Sequence, residues 1–72
     1  MSINLEAEKK EGRVIEALPA ALFRIEFQND KNTLICYLGG KMRIHKIKIL
    51  IGDKVLVELD EYGGKGRIVR RL

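Results

Sequence analysis

Residues 39–49 read GGKMRIHKIKI, and this stretch decides how the rest of the chain is arranged. Two adjacent glycines end the strand-like pattern before it, and four Lys or Arg follow within eight positions. Asp and Glu are absent from residues 41–51. A helix here would place Ile44, Ile47 and Ile51 on one face, whereas an extended chain would sort the residues by alternation. The β-branched residues and the missing N-cap side chain limit any helix to about one or two turns.

Strand patterns flank this stretch on both sides. Residues 23–28 alternate strictly, with Phe and Ile on one side and Arg, Glu and Gln on the other, so the Phe side is predicted to be core. Residues 13–18 predict a strand that ends at Pro19 in a hairpin turn. Residues 33–38 are apolar enough for a strand covered on most of both faces. The stretch is followed by two further predicted strands, 55–60 and 67–71, joined by a glycine-rich loop.

Five short strands with a break between the third and the fourth predict a small closed barrel, because closure removes exposed sheet edges. The predicted fold class is all-β, a five-stranded OB-fold barrel with a short helical turn between strands 3 and 4. An SH3-like barrel is the alternative that strand spacing leaves open. With 72 residues, the chain has room for one domain, which we assign to residues 11–72, preceded by a flexible N-terminal tail at residues 1–10.

The composition indicates a soluble protein that stays inside the cell. No run approaches the roughly 20 apolar residues that a membrane span needs, and residues 1–11 lack the apolar segment of a signal peptide. The single cysteine, Cys36, lies in an apolar run and is predicted to be a buried, reduced thiol.

Positive charge is concentrated in two segments of the chain. The net charge is +4, and eight of the 14 Lys and Arg residues fall within residues 41–48 and 65–71, neither of which contains an acid. If these two segments meet in the fold, the molecule has one positive side. Such a side is the electrostatic footprint of a nucleic-acid-binding protein.

Few residues in this sequence could support catalysis or bind a metal ion. The chain has one His, one Cys and only two hydroxyl-bearing Ser or Thr residues, so we expect no enzyme activity, no metal and no cofactor. His45 reads as an exposed member of the basic segment. Met42 and Tyr62 stand beside cations. They are interpreted either as residues that only fill space in the packing or as exposed groups that stack on unpaired bases, and both are included among the RNA-binding candidates.

Several short motifs occur in a familiar order along residues 12–72. These are GRVIEALP at 12–19, LFRI at 22–25, GKMR at 40–43, IKIL at 47–50, GDKV at 52–55, VEL at 57–59 and KGRI at 65–68. Together they resemble the bacterial-type translation initiation factor one family. The resemblance implies an OB-fold that binds the small ribosomal subunit at the decoding A site and blocks premature tRNA entry. It also implies contacts with ribosomal RNA and a ribosomal protein, and cooperation with initiation factors two and three.

Further expectations come with this resemblance. The protein is expected to be a monomer without a membrane partner, in a bacterial cytoplasm or a plastid stroma. Matching positions and the basic segment together give the RNA-binding candidates, which are Arg24, Lys41, Met42, Arg43, His45, Lys46, Tyr62, Lys65, Arg67 and Arg70. Two alternatives remain, a cold-shock-like single-stranded RNA chaperone and a small barrel that binds proteins.

Overall fold

Five strands and one short helix make up the described part of the chain. The computed structural model describes residues 8–28, 30–59 and 65–72. In chain order the elements are β1 (Glu8–Leu18), β2 (Leu22–Phe27), β3 (Asp30–Leu38), α1 (Gly40–Ile44), β4 (Lys54–Leu59) and β5 (Gly66–Arg71). All five predicted strands are present, although β1 and β3 begin earlier than residues 13 and 33, where the sequence placed them. None of the described helical residues forms a segment long and apolar enough to cross a membrane.

β1 begins earlier than the sequence indicated. We expected a tail through residue 10, yet Lys9 pairs with Glu58 and Lys10 pairs with Val57 of β4. These residues are polar and carry no apolar alternation, so their strand conformation depends on pairing with a neighbouring strand rather than on a local signal. Residues 1–7, the rest of the predicted tail, lie outside the described residues.

The sheet closes into a barrel with the strand order β1-β2-β3-β5-β4. β1 pairs with both β2 and β4, and every pair is antiparallel except β3 with β5, which is parallel. Closure gives each of the five described strands a neighbour on both sides. The closed five-stranded barrel with a helix between β3 and β4 confirms the predicted OB-fold.

The barrel interior is filled by alternate strand residues. The most deeply buried side chains are those of Val14, Ile25, Cys36, Val55, Val57 and Ile68. Glycine at two positions allows the strands to pack this closely. A Cβ on Gly12 would lie 2.4 Å from the Ile25 side chain, and one on Gly66 would lie 2.6 Å from the Val57 side chain. The burial of Ile25, Phe27 and Cys36 confirms that the Phe side of β2 and the thiol belong to the core.

β3 is less covered on its outer face than the prediction of cover on most of both faces implied. Cys36 on the inner face is fully buried. On the outer face Tyr37 is 37% exposed and Ile35 is partly buried. The outer face of β3 is therefore only partly covered, and Tyr37 is open to solvent.

The basic stretch is part helix and part extended chain. α1 contains five residues and ends at Ile44, in agreement with the limit of one or two turns. Ile44 and Ile51 are 76% and 65% exposed, so the apolar face that a longer helix would form does not exist. Beyond the helix, Ile49 is buried and Ile47 is partly buried, which is the alternation of an extended segment.

Candidate nucleic-acid interface

A backbone contact joins the two basic segments. The Gly39 N–H donates a hydrogen bond of 2.8 Å to the Ile68 carbonyl oxygen, which fastens the start of α1 to β5. A Cβ on Gly39 would lie 2.9 Å from that oxygen and 3.3 Å from Cγ of Arg67, so the close approach requires a glycine. The start of α1 therefore lies against β5, and Lys41 of one basic segment lines the same groove as Arg67 and Arg70 of the other.

A groove of about 530 Å³ lies where these segments meet, and we call it the basic groove. Its lining comes from β1, β4, β5 and the start of α1, and consists of Lys9, Gly39, Gly40, Lys41, Met42, Leu56, Glu58, Arg67, Val69 and Arg70. Four of these residues are cations, and the glycines, Met42, Leu56 and Val69 supply apolar or backbone surface. The basic groove therefore offers charge for phosphate together with apolar surface for a flat ring.

Glu58 places a negative charge inside the basic groove. In the strand register Glu58 faces Lys9 of β1 on one side and Arg67 of β5 on the other. Nη2 of Arg67 donates a hydrogen bond to Oε1 of Glu58. The two basic segments themselves contain no acid. Glu58 belongs to β4, and it reaches the basic groove because β4 lies next to β5 in the barrel.

Met42 does not occupy the exposed position that stacking on a base requires. Its side chain is 3% exposed and belongs to the hydrophobic core, where it is the buried residue of α1. The expectation of an exposed, base-stacking Met42 is therefore wrong. Met42 anchors the helix to the barrel and contributes its surface to the lining of the basic groove.

Arg43, His45 and Lys46 lie outside the lining of the basic groove and are exposed. They follow one another around the end of α1, where the Lys46 N–H bonds to the Arg43 carbonyl at 3.1 Å and the Ile47 N–H bonds to the Met42 carbonyl at 3.0 Å. These two bonds form a Schellman motif, in which the residue after the C-cap takes a left-handed conformation. That residue is Lys46, with φ of 52°.

Arg24 lies apart from the basic groove, in β2. Its Nε donates to Oε1 of Glu16 at 2.9 Å, and one of its terminal nitrogens donates to the Thr33 hydroxyl at 3.4 Å. The structure does not bring Arg24 together with Lys41, Arg67 and Arg70. Lys65 directly precedes β5 and is exposed, without lining the basic groove. Tyr62 and most of the predicted glycine-rich loop lie outside the described residues.

Two residues that sequence reasoning missed lie near these cations. Lys9 was assigned to the tail, and only its pairing with Glu58 across β1 and β4 brings it into the basic groove. Tyr37 was read as covered, yet it is exposed and pairs with Arg67 in the parallel register of β3 and β5. Paired residues project from the same side of a sheet. Tyr37 and Arg67 are therefore cross-strand neighbours on the outer face of the barrel.

Cys36 is a buried free thiol with little tendency to ionise in the folded chain. Burial raises the pKa of its thiol from 9.0 to about 11, and a backbone hydrogen bond with Gly66 opposes the shift in part. The thiol is therefore protonated at neutral pH. Within the described ranges, His, Cys, Asp and Glu do not form a group of three or more that could hold a metal ion.

Comparison with known proteins links this geometry to one family. The family described as Translation initiation factor 1A / IF-1 matches residues 1–72. The solution structure of translation initiation factor one from the Wolbachia endosymbiont strain TRS of Brugia malayi is 46% identical to this chain, with a TM-score of 0.79. The match covers 94% of this chain and 80% of that chain.

Two longer proteins contain a similar barrel. YjeQ from Thermotoga maritima is 26% identical over 90% of this chain and 23% of its own, with a TM-score of 0.75. YloQ, a circularly permuted GTPase, matches 100% of this chain and 25% of its own at 20% identity, also with a TM-score of 0.75. At that identity the likeness to YloQ shows the fold alone.

Proposed function

The chain belongs to the translation initiation factor 1A / IF-1 family, and from this premise we propose that it binds the small ribosomal subunit at the decoding A site. Occupying that site blocks premature entry of tRNA. In this proposal the protein contacts ribosomal RNA and a ribosomal protein, and cooperates with initiation factors two and three. It acts as a monomer in the cytoplasm of a bacterium or in a plastid stroma.

The basic groove is the observation that carries the proposal. Three elements that are far apart in sequence bring four cations to it: β1 contributes Lys9, α1 contributes Lys41, and β5 contributes Arg67 and Arg70. Cations brought together by tertiary structure attract the phosphates of RNA and release the counterions bound to them. This release makes RNA binding favourable without any base-specific contact.

Apolar surface gives the basic groove a second capability. The Gly39 and Gly40 backbone with Met42, Leu56 and Val69 forms part of the lining. A volume of about 530 Å³ is within the roughly 300 to 1,000 Å³ of sites that hold small flat ligands. An unstacked base fits such a surface while the surrounding cations hold its phosphates.

The exposed end of α1 extends the proposed interface beyond the basic groove. Arg43, His45 and Lys46 are exposed, and Ile44 between them is 76% exposed. A protruding turn that combines cations with one apolar side chain can follow an RNA backbone and pack on a base or sugar. Tyr62 and Lys65, which precede β5 in the sequence, complete the proposed RNA-binding set with Arg24.

RNA footprinting on small ribosomal subunits tests the location. We expect the protein to protect nucleotides of the decoding A site from chemical modification, and the protection to weaken for Lys41→Ala and Arg70→Ala. Arg71→Ala is the matched control, because Arg71 neighbours Arg70 in β5 but pairs with Asp53 at 3.4 Å outside the basic groove. Protection at other nucleotides, with the A site still reactive, would contradict the proposal.

A single-stranded RNA chaperone of the cold-shock type is the second candidate. Tyr37 favours it, because an exposed ring beside Arg67 on the barrel surface is a stacking platform for unpaired bases. Direct competition separates the two functions. In this assay, short unstructured RNA competes with small subunits for the protein. If the RNA displaces the protein when its binding sites are no more concentrated than the subunits, the result would support the chaperone and count against the A-site proposal.

A further inference from the structure

Glu58 is an acid in the part of the surface that the proposed function assigns to RNA. Its side chain is 22% exposed, and its register partners on the two adjacent strands are Lys9 and Arg67. A carboxylate in this position repels phosphate and occupies part of the guanidinium of Arg67. For a protein that only had to bind polyanions, such a group would be a disadvantage.

We propose that Glu58 is a positioning and specificity-determining residue of the basic groove. It holds the Arg67 guanidinium in one orientation, and it lowers the affinity of the groove for RNA that offers nothing but phosphates. This inference rests on the proposed function, since it concerns how the basic groove distinguishes its RNA site from other RNA.

The geometry supports the positioning role. The Arg67 stem runs over Gly39, where a Cβ would meet Cγ at 3.3 Å and Cδ at 3.4 Å. The end of the same side chain is held by Glu58. Contact along the stem together with a hydrogen bond at the tip restricts the rotamers of Arg67, and a restricted side chain loses less entropy when it binds. The guanidinium N–H donors that Glu58 does not use remain available to RNA.

The electrostatics support the specificity role. RNA of arbitrary structure binds mainly through phosphate contacts, so a fixed negative charge among the cations weakens this binding. An RNA site that the protein recognises specifically compensates for this repulsion, because it makes contacts that suit the fixed position of Arg67. Discrimination by a repulsive group in an otherwise attractive surface is a general means of raising specificity.

The experiment measures the affinity of the full chain for small ribosomal subunits and for poly-uridylate at several salt concentrations. For Glu58→Gln we expect the ratio of the two affinities to fall about threefold to fivefold, the size of an exposed charge-pair effect. We also expect the salt slope for poly-uridylate to steepen by roughly 0.7. The neutral amide no longer repels phosphate and holds Arg67 less strongly than the carboxylate does, so Arg67 gains a phosphate contact. Glu58→Asp keeps the charge and should retain most of the preference.

Asp53→Asn is the matched control. It also removes one negative charge and weakens the hold on one arginine, Arg71, which lies outside the basic groove and outside the proposed RNA-binding set. Asparagine keeps a side-chain oxygen that can accept the hydrogen bond from the Leu50 N–H. We expect its ratio to stay within about twofold of the wild-type ratio. An unchanged or higher ratio for Glu58→Gln, or an equal fall for Asp53→Asn, would overturn the inference.

Failure of the proposed function gives a different result. A wild-type chain that binds subunits no better than poly-uridylate would contradict the proposed function. The poly-uridylate measurements would then still decide the role of Glu58. That role requires a larger gain in affinity and a larger change in salt slope for Glu58→Gln than for Asp53→Asn.

Discussion

Lys46 occupies a backbone position that favours glycine. Its φ of 52° closes the Schellman motif after α1, and a side chain in this conformation costs roughly 1 kcal/mol. We predict that Lys46→Gly raises the free energy of unfolding by about 0.5 to 1 kcal/mol. The same variant should bind small subunits more weakly, with a salt slope lower by roughly 0.7 to 0.9. Denaturant titration and binding assays measure the two effects.

Lys48→Gly is the control for this prediction. It removes the same charge a short distance along the chain, where the backbone has no positive φ. Glycine should therefore lower the stability there through the greater freedom of the unfolded chain. Equal stability changes at the two positions would contradict the strain argument.

Tyr37 is the exposed aromatic residue that the sequence pattern concealed. If a base stacks on its ring beside Arg67, Tyr37→Ala should weaken RNA binding by about 1 to 3 kcal/mol, whereas Tyr37→Phe keeps the ring and should bind like the wild type. Binding assays with small subunits and with short single-stranded RNA measure the effect. Wild-type affinity of Tyr37→Ala for both ligands would exclude stacking on this ring.

Cys36 makes the stability of the fold sensitive to alkaline pH. The unfolded thiol ionises near its ordinary pKa of 9.0, and the buried thiol only near a pKa of about 11. Between these values the folded state binds more protons than the unfolded state, so stability falls as the pH rises. We predict a contribution from Cys36 of about 1 to 2 kcal/mol across this window.

Denaturant titrations of the wild type and Cys36→Ala between pH 8 and 11 isolate this effect, in the range set by the two pKa values. The cavity left by alanine lowers stability at every pH, so the difference between the two pH slopes is the informative quantity. Parallel slopes would show that the thiol does not contribute.

At the scale of elements, the turn between β1 and β2 is a second strained site. Ala20 and Ala21 have φ of 64° and 57°, left-handed values that asparagine and glycine adopt more readily than alanine. We predict that Ala21→Gly stabilises the protein by about 0.5 to 1 kcal/mol. Ala17→Gly, within β1, should instead destabilise it by a similar amount. Thermal unfolding of the two variants compares them directly.

The length of α1 could be predicted from its own residues, but the side that it turns toward the barrel could not. Its length follows from the missing N-cap side chain and from the β-branched residues, as the sequence predicted. The burial of Met42 and the exposure of Ile44 do not follow from residue type, since both are apolar. They follow from the hydrogen bond between Gly39 and Ile68, which decides which side of α1 contacts the barrel.

For the whole molecule, the arrangement of charge predicts how binding responds to salt. Arg70 lines the basic groove, whereas Arg71 pairs with Asp53. We predict that Arg70→Ala lowers the slope of log affinity against log salt by roughly 0.7 to 0.9, while Arg71→Ala changes it less. Subunit-binding assays at several salt concentrations measure both. A shallow slope that neither variant changes would favour a protein-binding barrel over an RNA-binding one.

Much of the fold could be predicted because its determinants are local. The strands and their ends are marked by local signals that do not depend on other parts of the chain. These signals are the alternation along residues 23–28, the turn residues Pro19 and Gly52, and the break after Leu38. The beginning of β1 could not be predicted, because polar residues 8–10 form a strand only through pairing with β4.

The sequence by itself determined the all-β class, the strand positions, the buried thiol and the segregation of cations into two segments. Tertiary structure alone decided that the outer face of β3 is only partly covered, that Met42 is buried and that Lys9 and Glu58 lie in the basic groove. The physical reason is that alternation shows which residues share a face of a strand. Which face is covered, and which strand lies next to it, depends on the closure and register of the barrel.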